Sequence, residues 1–115
     1  MARASTTSDV FNAVGDVHRR AILDVLLTGE KAVGAIVRDV SISQPQVSRH
    51  LRVLGDVGLV RCRADGRRRL YRLAPEHLRP LNDWVAKYER AINERLDRIE
   101  DYLDELQRQG QDNGT

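Results

Sequence analysis

Residues 43–55 read SQPQVSRHLRVLG, and this stretch decides the fold. Ser43 and Gln46 have the spacing of a capping box, in which each side chain bonds the backbone N–H of the other residue. Pro45 falls in the first turn, where its missing N–H does little harm. Gly55 follows the last apolar position, where glycine often ends a helix. The sequence therefore predicts a helix from Ser43 to Gly55.

One face of this predicted helix is apolar. Val47, Leu51 and Leu54 recur at steps of four and three, the spacing that places side chains on one side of an α-helix. The other side chains are mostly polar and lie on the flanks or the outside. The helix therefore offers one face to a core and a second face to a partner.

Three shorter helices are predicted before this stretch. Residues 8–15 follow a candidate cap at Ser8 and end in a glycine. Residues 16–29 begin with Asp16, a good N-cap, and then carry apolar residues at helical spacing. Residues 31–40 have an apolar side too, but a glycine and several β-branched residues make them weak helix formers that tertiary packing must hold.

A hairpin and a long helix are predicted after it. Residues 59–73 read LVRCRADGRRRLYRL and alternate around an Asp-Gly pair, which predicts a β-hairpin with an arginine-rich tip. We call this hairpin the wing. Pro75 then opens a helix whose apolar residues recur at steps near three and four. The order α-α-α-α-β-β-α describes a mainly α winged helix-turn-helix with a long C-terminal helix.

The predicted boundaries follow from these elements. We expect flexible tails at residues 1–7 and 109–115, a winged helix-turn-helix domain at residues 8–74 and a dimerisation helix at residues 75–108. The length of 115 residues and the 41% of hydrophobic residues fit one compact domain. Nowhere do 18 consecutive apolar residues occur, so the sequence predicts neither secretion nor a membrane span, and we expect a cytoplasmic protein.

Positive charge is concentrated in the part of the chain that contains the wing. Residues 1–79 carry 14 Lys and Arg against 8 Asp and Glu, whereas residues 80–115 carry 5 against 9. An excess of positive charge of this kind favours binding to a polyanion. The arginines at the predicted hairpin tip, Arg67, Arg68 and Arg69, can bind DNA phosphates. The alternative is that they are ordinary solvated surface residues.

The predicted helix at residues 43–55 has the width that fits the major groove of duplex DNA. The guanidinium of Arg49 can form a bidentate hydrogen-bonded contact with guanine, and the side-chain amide of Gln46 can form one with adenine. Serine and glutamine near the helix start can bond phosphates or bases. His50 either contacts DNA or hydrogen-bonds locally beside the apolar stripe. The predicted DNA contacts of this helix are Ser43, Gln44, Gln46, Ser48, Arg49, His50 and Arg52.

Two motifs carry a resemblance to a known family. SQPQVSRHLRVLGDVGLV at residues 43–60 and DGRRRLYRL at residues 65–73 stand at the separation typical of the ArsR family of bacterial winged-helix regulators. Residues 10–80 as a whole resemble that family. The resemblance implies a homodimeric DNA-binding repressor that is released from an operator by a metal, a redox change or another small signal.

The sequence departs from the metal-sensing members of that family. The segment that holds a cysteine pair in many of them reads EKAVGAI at residues 30–36, with Ala32 and Gly34. No histidine follows His77, so the last helix lacks nitrogen ligands. The chain is more similar to the metal-independent branch, whose members often repress their own operon. We therefore expect no regulatory metal and no cofactor, and the effector stays unknown.

The apolar stripe of the last helix predicts a homodimer. A helix of about 30 residues spans roughly 45 Å, which is too long for one small domain to cover. A partner subunit should cover it, and packing on the chain's own first helix is the alternative. The predicted interface residues are Phe11, Val14, Leu81, Trp84, Val85, Tyr88 and Ile92.

No catalytic site is predicted. Ser48 and His50 are two apart on a helix and do not face each other. Cys62 is the only cysteine, and we expect it to fill a small apolar place behind the wing. The function that competes with DNA binding is that of a dimeric protein-interaction module, in which the wing arginines meet an acidic partner.

Overall fold

The computed structural model describes the backbone of residues 6–113 and the side chains of residues 10–110. Its elements, in chain order, are α1 (Thr6–Val14), α2 (Val17–Leu26), β1 (Lys31–Ala32), α3 (Val33–Val40), α4 (Gln44–Asp56), β2 (Val60–Asp65), β3 (Arg68–Leu73), a 3-10 turn (Pro75–Leu78) and α5 (Arg79–Asn113). The chain forms two compact units that divide between Leu81 and Asn82.

The predicted element order is confirmed, with one strand added. The helix α1 begins at Thr6 and α5 continues to Asn113, so both helices include residues that the sequence analysis assigned to the tails. Residues 1–5 and 114–115 of the expected tails lie outside the described residues. The final helical segment also starts with a 3-10 turn, and the α-helix begins only at Arg79.

The core joins the first four helices to the base of the wing. Within the first unit, α4 contributes its predicted stripe of three residues, each at most 1% exposed. Side chains from the other helices and from the start of β2 surround this stripe. The buried apolar residues are Val10, Ala13, Ile22, Leu26, Ile36, Val47, Leu51, Leu54, Leu59, Val60, Leu70 and Ala74.

The turn between α3 and α4 begins with a residue in the left-handed backbone conformation. Ser41 has φ 59° and its N–H donates to the carbonyl of Val37, which ends α3 and turns the chain toward α4. Ser43 then caps α4 from an extended conformation. The left-handed Ser41 and the capping Ser43 therefore set the geometry between α3 and α4.

The wing belongs to a three-stranded antiparallel sheet in the order β1-β3-β2. β2 and β3 pair from Val60 opposite Leu73 to Asp65 opposite Arg68, and the two residues of β1 pair with Tyr71 and Leu70. The strand β1 was not predicted, because two residues are too few to show an alternating pattern. This short strand ties the wing to the segment between α2 and α3.

Within the described residues, no helix is long and apolar enough to cross a membrane.

The predicted cap of α2 is confirmed. The carboxylate of Asp16 accepts hydrogen bonds from the backbone N–H groups of His18 at 2.8 Å and Arg19 at 3.0 Å. The Arg19 side chain in turn donates to the carbonyl of Ala13 at 2.7 Å, and Arg20 donates to that of Val14 at 2.9 Å. Two arginine side chains of α2 therefore hold the C-terminus of α1 against the capped start of α2.

This cap predicts an acid-sensitive contribution to stability. The hydrogen bond from the N–H of Arg19 lowers the pKa of Asp16 below its ordinary value of 3.8. A depressed pKa stabilises the folded state above the pKa of the unfolded chain, and this stabilisation is lost as pH falls through the folded-state pKa. In acid unfolding, Asp16→Asn should therefore remove part of the pH dependence below about pH 4. An unchanged acid transition would contradict this role.

Candidate nucleic-acid interface

The capping box at the start of α4 is formed as predicted. The Oγ atom of Ser43 accepts from the N–H of Gln46 at 3.3 Å, and Oε1 of Gln46 accepts from the N–H of Ser43 at 3.1 Å. The Ser43 hydroxyl also donates to Oε1 at 3.0 Å. The Ser43 hydroxyl and the Oε1 atom of Gln46 are therefore already engaged in the cap, and a bidentate contact from Gln46 to adenine requires Oε1 to leave it.

Arg49 lies at the centre of the exposed face of α4. At 100° per residue it is about 170° away from the mean direction of the buried stripe, and Arg52 is about 130° away. Both side chains are exposed, and neither forms an ion pair with any described residue. Ser48 lies on one flank of this face and is exposed too. These side chains are placed to enter a groove without rearrangement of the core.

His50 lies on the side of α4 that is next to α2. Its ring centroid is 6.0 Å from that of His18, with a tilt of 33° between the two rings. Burial lowers the pKa of His50, and the nearby carboxylate of Asp16 opposes this effect. The half-buried ring therefore packs against α2, and its contact with DNA stays a prediction.

The wing arginines do not form one cluster. The hairpin loop consists of Gly66 and Arg67, and Gly66 has φ 63°, which a type II′ turn requires at its first position. Arg68 and Arg69 follow in β3 and point to opposite faces, because side chains alternate along a strand. The guanidinium of Arg68 donates to Asp65 at 3.0 Å, so its charge is partly balanced.

A long-range ion pair holds β2. The Nε atom of Arg63 donates to both carboxylate oxygens of Glu30 at 3.0 and 2.9 Å, and Nη2 donates to Oε1 at 2.7 Å. This hydrogen bonding lowers the pKa of Glu30 and raises the pKa of Arg63. Glu30 precedes β1, so the bidentate pair fixes β2 to the far side of the sheet. This pair could not be predicted from the sequence, because the two residues are 33 positions apart.

The remaining basic residues of the wing differ in whether a carboxylate pairs with them. Arg61 lies 3.9 Å from Glu76, whereas Arg67, Arg69 and Arg72 form no ion pair with described residues. Arg72 is exposed and was not among the predicted contacts, although it contributes to the basic excess of the sequence. The unbalanced positive charge of the wing is therefore carried by Arg67, Arg69 and Arg72.

The expected place of Cys62 is wrong. Its side chain is exposed, because β2 leaves the core directly after Val60 and every later residue of the strand is exposed. Cys62 pairs with Tyr71 across the ladder. The pKa of Tyr71 is raised by burial and by its hydrogen bond to Cys62. The Nδ1 atom of His77 lies 3.1 Å from the carbonyl oxygen of Gly58.

The predicted dimer residues fall in both units. In the first unit, Phe11, Val14 and Leu81 are half-buried. In the second unit, large apolar side chains are exposed along α5, and Trp84 and Tyr88 contact each other with ring centroids 5.0 Å apart. The exposed apolar residues of α5 are Trp84, Val85, Tyr88, Ile92, Leu96, Ile99, Tyr102, Leu103 and Leu106.

The residues present do not fit the metal sites of the metal-sensing proteins. Ala32 and Gly34 stand at the start of α3 and supply no ligand atoms. Among the described side chains, no three His, Cys, Asp or Glu residues lie close enough together to hold a metal ion.

Comparisons with known proteins agree with this geometry. Residues 16–61 match the model described as bacterial regulatory protein, arsR family. The transcriptional repressor SdpR of Bacillus subtilis is 31% identical over 70% of this chain and 90% of its own length. The HTH-type transcriptional regulator Rv2034 of Mycobacterium tuberculosis is 45% identical over 62% of this chain and 66% of its own length. The chain thus spans slightly less than two thirds of that relative.

Solved structures share the fold. The homodimeric winged helix-turn-helix DNA-binding domain Mb0332 from Mycobacterium bovis superposes with a TM-score of 0.60 at 31% identity, over 85% of this chain and 95% of that chain. The structure of the regulator RHA00566 gives a TM-score of 0.67 at 26% identity, over 81% of this chain and 97% of its own.

Proposed function

The chain belongs to the ArsR family of bacterial regulatory proteins, and from this premise we propose that it is a homodimeric transcriptional repressor. It binds an inverted-repeat operator in duplex DNA, with α4 in the major groove and the wing on the adjacent backbone. The proposed activity is DNA binding, and no catalytic role is assigned. Binding to chromosomal DNA places it in the cytoplasm.

The exposed face of α4 is the single observation that supports this proposal best. Arg49 and Arg52 are exposed and unbalanced, while the opposite face of the same helix is locked in the core. A rigid helix with guanidinium groups on its outer side matches the direct readout of guanine in the major groove. The basic residues of the wing add affinity that is independent of sequence.

The dimer follows from the exposed apolar side of α5 and from the likeness to a homodimeric domain. A twofold dimer presents two recognition helices, so its operator should be an inverted repeat with half-sites about one helical turn apart. The protein's own upstream region is the first candidate, because related repressors often control their own operon.

A fluorescence titration tests the proposal. Fragments of genomic DNA that the protein retains are selected, labelled and titrated at several salt concentrations, with a shuffled duplex of the same length as control. We expect tight binding to the selected duplex and a linear fall of log K with log salt. A protein-interaction module would instead give no sequence-selective, salt-sensitive complex, and that result would reject the proposal.

The ion pair at the wing tip predicts a gain in affinity. Asp65→Asn removes the carboxylate that holds the guanidinium of Arg68, so Arg68 becomes free to meet a phosphate. Binding to all duplexes should tighten by roughly two- to fivefold at low salt, and the salt slope should steepen by up to about one. Weaker binding by this variant in the same titration would show that the pair positions the tip instead.

A further inference from the structure

The ion pair of Glu30 and Arg63 crosses the three-stranded sheet. Glu30 precedes β1 and Arg63 lies in β2, whereas β3 runs between these two strands. Arg63 is opposite Leu70 of β3, and Leu70 is opposite Ala32 of β1. Neighbouring strands are about 4.8 Å apart, so the Arg63 side chain passes over β3 to reach the carboxylate. The pair therefore connects the two outer strands directly.

The pair lies at the last row where the wing is joined to the rest of the first unit. Toward the tip, the pairing of β1 with β3 ends at the row of Leu70. Beyond that row, no described residue of the hairpin forms a hydrogen bond or ion pair with another element. The ion pair of Arg68 with Asp65 joins two residues of the hairpin itself. Residues 64–69 therefore project from the sheet, and they include the three arginines that are predicted to bind phosphates.

The position of the wing tip is sensitive to the angle of the hairpin at this row. The loop lies between three and four residues beyond Arg63, which is about 12 Å at the rise of a β-strand. A tilt of about 10° at the row would therefore move the loop by about 2 Å. An N–H···O hydrogen bond forms over a range of only about 0.5 Å in length, so the tip would have to readjust to keep its phosphate contacts. Control of this angle therefore contributes to affinity.

The geometry of the pair suits the control of an angle. Hydrogen bonds of 2.7, 2.9 and 3.0 Å join Nε and Nη2 of Arg63 to the two carboxylate oxygens, and bidentate contacts fix orientation as well as distance. The Glu30 side chain is only 25% exposed, so water competes little for it. The pair of Arg61 with Glu76, also on β2, is a single contact of 3.9 Å between exposed side chains. The first pair can therefore resist a tilt of the hairpin, whereas the second cannot.

We propose that Glu30 is a positioning residue for DNA binding, which holds the wing at its working angle through Arg63. This inference rests on the proposed function, and it assigns a role to an acidic residue that does not itself contact DNA. Coulomb energy alone gives the opposite expectation, because a carboxylate beside a basic surface repels the phosphate backbone. On that expectation, removal of the Glu30 charge tightens binding, whereas loss of the positioning role weakens it.

Titration of the selected operator with Glu30→Gln distinguishes these two expectations. The substitution makes the net charge more positive and releases the guanidinium of Arg63. We expect operator affinity to fall by roughly three- to tenfold, because the freed hairpin has to be ordered when DNA binds. Glu76→Gln is the matched control, since it makes the same change of charge next to Arg61 and should not weaken binding. Tighter operator binding by Glu30→Gln would overturn the proposal.

A double-mutant cycle tests whether the two residues act as one unit. Arg63→Lys keeps the positive charge but lacks the planar guanidinium that binds both carboxylate oxygens. We expect it to weaken operator binding about as much as Glu30→Gln does, and the double variant to bind no more weakly than either single variant. If Arg63 instead contacted a phosphate directly, Arg63→Lys would retain most of the affinity and the two effects would be additive. That result would reject the positioning role.

Amide hydrogen exchange of the free protein measures the wing in the absence of DNA. In Glu30→Gln the backbone amides of residues 63–70 should exchange faster by roughly threefold or more, whereas those of α4 should be unchanged. Equal exchange of residues 63–70 in the variant and the wild type would overturn the proposal. This readout needs no operator, so it separates the two hypotheses. Absence of sequence-selective binding by the wild-type protein would reject the proposed function, while the exchange result would still decide whether Glu30 holds the wing.

Discussion

Replacement of Arg49 by alanine is expected to weaken binding to the operator by about 1–3 kcal/mol, which corresponds to roughly 5- to 150-fold in affinity. Arg49 is central on the exposed face of α4, and no carboxylate among the described residues balances its charge. Its guanidinium is therefore free to form a bidentate contact with guanine. Titration of the selected operator and of single-base variants measures the effect.

The discrimination between sequences is the decisive quantity in this experiment. With alanine at position 49, binding to a shuffled duplex should fall much less than binding to the operator. Arg67→Ala is the matched control, because it removes one arginine from the wing and should weaken both duplexes alike while it reduces the salt slope by about one. If Arg49→Ala lowered affinity equally for both duplexes, Arg49 would contact the backbone rather than a base.

The largest effect on stability is expected from Leu51→Ala. Leu51 is 1% exposed at the centre of the core stripe of α4, and removal of a buried leucine side chain costs about 2–5 kcal/mol through lost burial and the cavity that remains. For a domain of this size such a loss is a large fraction of the total stability. Chemical denaturation followed by circular dichroism measures the free energy of unfolding.

The neighbouring Arg52 provides the control for this measurement. Arg52→Ala removes an exposed side chain from the same helix, so its free energy of unfolding should stay within about 0.5 kcal/mol of the wild type. It should still weaken DNA binding. If Leu51→Ala were no more destabilising than Arg52→Ala, α4 would not be anchored through its apolar stripe.

Local chemistry explains which features could be predicted from the sequence. The caps at Asp16 and Ser43 depend on residues two or three positions away, and both are confirmed. The apolar stripe of α4 is likewise set by helical period, and its three members are buried as predicted. Interactions that are complete within one turn of helix leave a pattern in the sequence.

Features that depend on distant parts of the chain could not be predicted in this way. The strand β1 has two residues and exists because β3 passes beside it. Cys62 alternates correctly for a buried position, but β2 has already left the core at that point. In the candidate site, the position of His50 next to α2 depends on tertiary geometry in the same way.

The pair between Glu30 and Arg63 has a consequence for how this chain can evolve. Glu30 is three-quarters buried at its side chain and satisfies one guanidinium through both of its oxygens. Loss of Glu30 alone would leave the guanidinium of Arg63 unpaired in the middle of β2, and loss of Arg63 alone would leave a mostly buried carboxylate without its bidentate partner. Substitutions at positions 30 and 63 should therefore be accepted together and rarely singly, so that the two positions covary among descendants of this sequence.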